Sequence, residues 1–403
     1  MYKLSKAQTE RTFRLDLFRG SLHGIIETGV MSFSILIALR FFDAEDWVKS
    51  CIAAAAPIGF LLNPFTSALA VYYKKPISNL CAGYMSIGGL FFMLAAVSSS
   101  LLMFTSCVVL ATIIIVQNVP LVTQILAHNY ENRDRGNRLA YIIAIGVLSG
   151  SCFSGIGGVL LDWNPMAFRG IFVSISISAW LSAVVFRKIP STMVDTVGQG
   201  SFFKNLVLVR QDPLFGGLLV AWMLAGFGVL MSLPMRIEYV ANPEYRISLP
   251  NRIVVFVTFI VPSIIRILGS PWWGKIFDKV HFIGTRIFLN ACFLMGNLLF
   301  FNGDSIIFWI IGGIFWGIGN GGGMIAWNLW VTRIAPANRT AAYMSIHTGS
   351  TGFRGCLAPF IGYEILSRFG FASMLWTSSI LIILSLIMFS IFWKNKRLVR
   401  LDN

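Results

Sequence analysis

Long apolar runs alternate with short polar breaks along almost the whole chain. Runs of spanning length lie at about 15–40, 48–73, 77–98, 101–127, 139–161 and 170–186. The longest polar stretch, Arg187 to Pro213, follows, and six more runs lie at about 214–235, 252–273, 286–301, 306–332, 341–366 and 371–393. A helix crosses the hydrocarbon core with roughly 20 apolar residues. The pattern therefore predicts an all-α polytopic membrane protein with twelve transmembrane helices. The expected organisation is a six-helix bundle over 1–186, a cytoplasmic linker over 187–213, and a second six-helix bundle with a basic tail over 214–403.

Composition agrees with that pattern. Of 403 residues, 56% are hydrophobic and 12% charged, whereas soluble domains carry roughly a quarter charged residues. Disorder, a coiled coil and a water-soluble globule are excluded. The net charge of +15 raises the question of a nucleic-acid partner, but no basic run is interleaved with aromatics as such a surface requires. With both termini placed in the cytoplasm, 23 of the 32 Lys and Arg fall on the cytoplasmic side, Arg19, Arg286 and Arg333 among them. Seven, including Arg40, Lys49, Arg236 and Arg252, fall on the other side. Cation retention on the inner face explains the bias. Only Arg266 and Arg354 are left within spans.

The six cysteines lie in or beside apolar segments with no CxxC pair, and read as small buried hydrophobes. The first apolar run is too long for a signal-peptide core. No metal-ligand spacing appears among the four histidines. His128 and His281 fall in loops and His347 near a cytoplasmic end, where a solvated or hydrogen-bonded imidazole is expected. No cofactor is expected, and no nucleotide-binding loop, HExxH or GxSxG motif marks a membrane enzyme.

The halves repeat weakly. Asn137-Arg138 and Asn338-Arg339 stand 201 residues apart, as do Lys74 and Lys275, and Gly29-Val-Met-Ser32 resembles Gly228-Val-Leu-Met-Ser232. Matches at offsets near half the length point to two parallel repeats. Between the eighth and ninth spans runs Gly274-Lys-Ile-Phe-Asp278-Lys279. It is similar to the G-x-x-x-D-[RK] signature of the major facilitator superfamily, which the six-plus-six layout also resembles over the whole chain. The resemblance implies two bundles alternating access to a central cavity lined by the first, fourth, seventh and tenth spans. It also implies a gating role for Gly274, Asp278 and Lys279, and a protein that works as a monomer. The N-terminal copy, Ser67-Ala-Leu-Ala-Val71, lacks the Gly and Asp. The fifth span carries Gly146, Gly150, Gly155, Gly157 and Gly158 without the Gly-Pro pair of family antiporters, and tight helix packing is the expected use of these glycines.

Ionisable groups within spans need a partner or a water-filled cavity. His23 and Glu27, spaced i, i+4, share one face of the first helix. A desolvated carboxyl beside an imidazole suits proton coupling, while a permanent pair with an Arg is the structural alternative. Arg354 and Arg266 suit a substrate carboxylate or phosphate, which guanidinium binds bidentately; an interhelical ion pair with Glu27 or Glu364 is the alternative. Gln117, Asn118, Gln124, Asn320, Trp327 and Asn328 could complete the cavity through amide hydrogen bonds and indole stacking. The glycines of the tenth span, Gly317, Gly319 and Gly321 to Gly323, suit either a bend or close packing.

Together these features lead to a secondary transporter of the inner membrane, moving a small organic anion or zwitterion with protons. Sodium coupling stays open, as do efflux of amphipathic compounds and a non-transporting assembly or receptor role on the same fold.

Overall fold

The computed structural model describes residues 6–73, 75–193, 205–245, 247–336, 339–395, 397 and 398. The side chains of Asn328, Gly274, Asp278 and Lys279 lie outside the described residues, so the expected gating motif does too. Helices make up nearly all of the described chain, and its one extended pairing is an isolated antiparallel bridge between Pro76 and Met193.

The helices are α1 (Lys6–Arg40), α2 (Asp46–Tyr73), α3 (Ile77–Ala96), α4 (Leu101–Val116), α5 (Asn118–Asn129), α6 (Asn132–Trp163), α7 (Phe168–Phe186), α8 (Val207–Gln211), α9 (Pro213–Ala241), α10 (Asn251–Val255), α11 (Val261–Lys279), α12 (Phe282–Asn302), α13 (Ile306–Ile334) and α14 (Thr340–Ile391). A π turn, Phe256–Ile260, joins α10 to α11. Among the described residues ten stretches are long and apolar enough to cross a membrane. One of them, Ala342–Ile391, bends at Gly370, whose φ of 78° only glycine adopts readily. Counting its two arms separately and adding the 28-residue α2 gives the twelve spans expected from hydropathy. The fourth span runs Leu101–Asn129 as expected, with Gln117 between α4 and α5 still in the right-handed helical region.

Contacts divide the chain into two units, Met1–Val197 with Pro250–Val255, and Gly198–Leu249 with Phe256–Asn403. In the first unit α1 lies against α6 at backbone distance. A Cβ on Gly24 would stand 1.8 Å from the Gly146 carbonyl oxygen, and one on Gly150 would meet Thr28. Ser21 and Ser149 hydrogen-bond across the same seam at 2.7 Å. Removing side chains is how membrane helices gain dispersion contact without a hydrophobic drive between them. Asp162, at the end of α6, accepts the backbone N–H of Asn251 at 2.6 Å, and Arg40 donates to the Asn251 amide oxygen at 2.6 Å.

In the second unit α13 is an unbroken helix, so its glycines serve packing rather than a bend. A Cβ on Gly313 or Gly317 would strike α11 or the π turn beside it, and one on Gly312 or Gly322 would strike α12. Asn297 ties three other helices to its own, α12. Its amide nitrogen donates to Ser232 and Ser378 at 3.0 Å, and its oxygen accepts from the Trp316 indole at 2.9 Å. Asp212 caps α9 through the Phe215 N–H, with Pro213 in the first turn.

Candidate functional site

The strongest concentration of unusual chemistry lies inside the second unit. Along α14, Tyr343, His347 and Arg354 are spaced i, i+4, i+11 and share a face. Along α9, Phe215, Trp222 and Gly226 do the same, and α13 contributes Trp327 and Trp330. The Arg354 guanidinium donates to the Trp222 carbonyl. It fits there because Gly226 has no side chain; a Cβ at that position would lie 2.0 Å from the guanidinium carbon. Arg286, from the second turn of α12, lies over the Trp222 ring at 3.7 Å. His347 is fully buried among Trp222, Trp327 and Trp330, with ring centroids 5.5, 5.0 and 5.1 Å away. Trp330 also stacks on Trp222 and Phe215, which leaves Trp327 as the half-buried indole of the group.

Two guanidinium charges, 4% and 9% exposed, thus flank an imidazole, each within electrostatic reach of the others. No described carboxylate pairs with any of them. Glu364, the acid expected as a partner, pairs with Arg368 on its own helix. Among the described residues, both Nε atoms, both ring nitrogens of His347 and the Trp222 and Trp330 indole N–H groups have no hydrogen-bond partner. Burying an ion costs several kcal/mol, and a desolvated cation–π contact returns about 2 kcal/mol. The cluster is left with uncompensated positive charge and unused donors.

Arg236, expected in a loop, shows the contrast. It is buried at 2% exposure in α9, sandwiched between Phe300 and Trp316 at 4.8 and 4.7 Å, and donates to the Val257 carbonyl of the π turn. A lone cation between two rings is a packing solution. Two cations beside an imidazole repel one another and call for an anion.

In the first unit α1 carries Asp16, Arg19, His23 and Glu27 at i, i+3, i+7 and i+11, one charged stripe. Arg19, assigned to the cytoplasmic side from sequence, is buried and bonds Asp16 at 2.8 Å; Asp16 also accepts the Tyr130 hydroxyl at 2.6 Å. His23 Nε2 lies 3.7 Å from the Glu27 carboxylate, and the two side chains are 42% and 50% exposed. The two residues share one helix face, and the Glu27 carboxyl is accessible rather than desolvated as expected.

The remaining sequence candidates separate. The Gln117 amide is engaged by the Gly59 and Ile113 carbonyls, a helix-to-helix tie. Asn118 is buried with neither amide atom bonded. Gln124 is exposed on α5, and Asn320 is half-buried on α13. Arg266 is half-buried on α11, where its backbone packs on Gly321. The described cationic neighbour of Arg354 is Arg286.

A family model described as Major Facilitator Superfamily matches residues 46–348. This chain belongs to the major facilitator superfamily. It is accordingly a multi-pass membrane protein, with the superfamily's twelve helices in two six-helix bundles. Its fold is similar to that of the nucleoside transporter NupG, at a TM-score of 0.77 and 10% identity over 94% of this chain and 98% of that one. A D-xylose-proton symporter aligns at 0.68 with 16% identity, over 95% and 96%. A bacterial homologue of the human lysosomal transporter Spinster aligns at 0.69 with 13% identity, over 98% and 100%. No curated protein matched the sequence.

For a superfamily member the two residues missed from sequence are instructive. Arg286 sits four residues into α12, where hydropathy reads a boundary charge, and His347 sits near the start of α14. Both are corrections, since each is buried rather than solvated. Burial comes from other helices, Trp222 of α9 lying under the Arg286 guanidinium, and hydropathy along one helix does not show it. The seven-residue spacing of His347 and Arg354 was the available signal: a residue two turns from a mid-span Arg shares its face.

Proposed function

We propose that the protein is a secondary active transporter that moves a small organic anion, coupled to protons, across the inner or plasma membrane by alternating access. The observation that carries this reading is the burial of Arg286 and Arg354 beside His347 without any described carboxylate. Such a centre favours the state in which an anion has entered. Intramembrane charge of this kind marks a transport path more often than a structural pair. Proton coupling is assigned to Glu27, with His23 at 3.7 Å as its relay. A carboxyl there exchanges protons with one side or the other as the halves move. The solved structures of similar fold include a D-xylose-proton symporter, which supports coupling as a capability of the fold.

The test is substrate-driven acidification in proteoliposomes, with wild type, Glu27→Gln and Arg354→Gln side by side and a panel of organic anions, amino acids and sugars. Wild type should move protons with an anion, Glu27→Gln should lose the proton movement, and Arg354→Gln should lose the anion. Proton flux driven by a neutral sugar and unaffected by Arg354→Gln would overturn the anion assignment. Unchanged proton flux in Glu27→Gln would remove the coupling assignment.

A further inference from the structure

We infer that the anion taken by the second unit carries an aromatic ring: an aryl carboxylate or aryl phosphate whose acidic group meets Arg286 and Arg354 while its ring lies against Trp327. This rests on the anion-transport reading above and adds the identity of the other half of the ligand. Six side chains form the site, three cationic or titratable and three indoles. An aliphatic carboxylate or inorganic phosphate would use only the first three.

The indoles are not interchangeable. Trp222 has one face under Arg286 and stacks on Trp330, and Trp330 in turn stacks on Phe215. Those two rings are fully buried and mutually satisfied as surfaces. Trp327 is only half-buried, and its described ring contact is a tilted one with His347 at 5.0 Å and 48°. It therefore keeps accessible indole surface against His347, the imidazole that the two buried guanidinium groups flank. Indole surface favours a flat π ring over a saturated one of the same size, through offset or edge contacts. Arg286 and Arg354 then act on the acid, where a planar guanidinium gives paired donors to carboxylate or phosphate oxygens.

The experiment uses matched ligands on the intact protein in lipid nanodiscs, with binding read by calorimetry. Benzoate is compared with cyclohexanecarboxylate, and phenyl phosphate with cyclohexyl phosphate; each pair has the same charge and differs in its π face. On wild type the aromatic member should bind about three- to tenfold more tightly than its saturated counterpart. The two pairs together say whether carboxylate or phosphate is preferred. That preference should collapse in Trp327→Leu and persist in Trp327→Phe, and Arg354→Gln should weaken all four ligands. Equal binding of the members of each pair, still weakened by Arg354→Gln, would overturn the aromatic inference and leave the anion reading standing. Binding of none of the four, with tight binding of a neutral solute unaffected by Arg354→Gln, would overturn both. The wild-type comparison needs no variant, so a misfolded mutant does not decide it.

Discussion

Gly226→Ala is the smallest change that should disable the cationic centre. A Cβ there would stand 2.0 Å from Cζ and Nη1 of Arg354 and 2.5 Å from its Nε. Ordinary contact begins at 3.4 Å, so the guanidinium has to retreat by about 1.4 Å. That retreat breaks its bond to the Trp222 carbonyl, and a hydrogen bond to a charged group contributes about 1.5–3 kcal/mol. Against this, alanine in a helix interior is favoured over glycine by about 1 kcal/mol. The hydrogen bond outweighs the propensity, and a net loss of about 0.5–2 kcal/mol in stability follows. Anion affinity should fall more clearly, by roughly 10- to 100-fold, since 1.4 kcal/mol is a factor of ten.

The decisive assay is a mutant cycle with Arg354→Gln, read by thermal unfolding and anion binding in nanodiscs. The shorter Gln leaves room for the new methyl, so in that background Gly226→Ala should stabilise by about 1 kcal/mol and leave binding unchanged. The sign of the stability effect should reverse between the two backgrounds. If Gly226→Ala destabilises both equally, the glycine serves helix packing, and the claim that it seats Arg354 is refuted.

Three further outcomes follow from other contacts. Asp212 accepts the Phe215 N–H, the Tyr343 hydroxyl and two bonds from Arg397 at 2.9 Å. Burial pushes its carboxyl up, but the Arg397 guanidinium and the N–H and O–H donors outweigh it, so the group titrates below its usual 3.8. Its stabilisation is therefore present above that value and lost as pH falls through the lower folded value. Asp212→Asn should cost about 1–2 kcal/mol at neutral pH, discounting the half-exposed ion pair, and the gap to wild type should close on acidification in unfolding scans below about pH 4. Gly24→Ala places a methyl 1.8 Å from a backbone oxygen that cannot swing aside, so it should cost about 1–3 kcal/mol. Gly83→Ala, which meets nothing within 4 Å, should be neutral or stabilising in the same melt. Asp162→Asn should speed hydrogen exchange at the Asn251 and Arg252 amides, which the wild-type carboxylate holds at 2.6 and 3.3 Å; unchanged exchange would mean that this carboxylate does not anchor α10.

Twelve spans were legible because the bilayer demands length and apolarity from each segment separately, and a sequence states both. Glycine packing in α6 was legible for a similar reason: no other residue lets two backbones meet as Gly24 and Gly146 do. The i, i+4 spacing of His23 and Glu27 and the interior position of Arg354 could also be read on single helices. What escaped was the joining of helices. Hydropathy assigns Arg236 and Arg286 to span ends, and only the fold shows Phe300 and Trp316 closing on one and Trp222 lying under the other. Gln117 likewise looked like a cavity amide until Gly59, 58 residues away in sequence, proved to be its acceptor.

The repeat gives these placements a common origin. If Gly29-Val30 is set against Gly228-Val229, His23 aligns with Trp222 and Glu27 with Gly226. The same two stations, one turn apart on the first helix of each half, thus carry opposite chemistry. In the first unit they hold an imidazole and a carboxyl 3.7 Å apart, groups able to gain and lose a proton. In the second they hold an indole that supports Arg286 and a glycine whose missing side chain admits Arg354. A duplicated helix that kept an acid at both stations would neutralise the arginines of the second unit permanently and leave no reason for an anion to enter. Replacing that acid by glycine leaves the positive charge unanswered. On the proposed function, a division of labour between the halves would follow from one position: proton exchange where Glu27 stands, and anion capture where Gly226 takes its place.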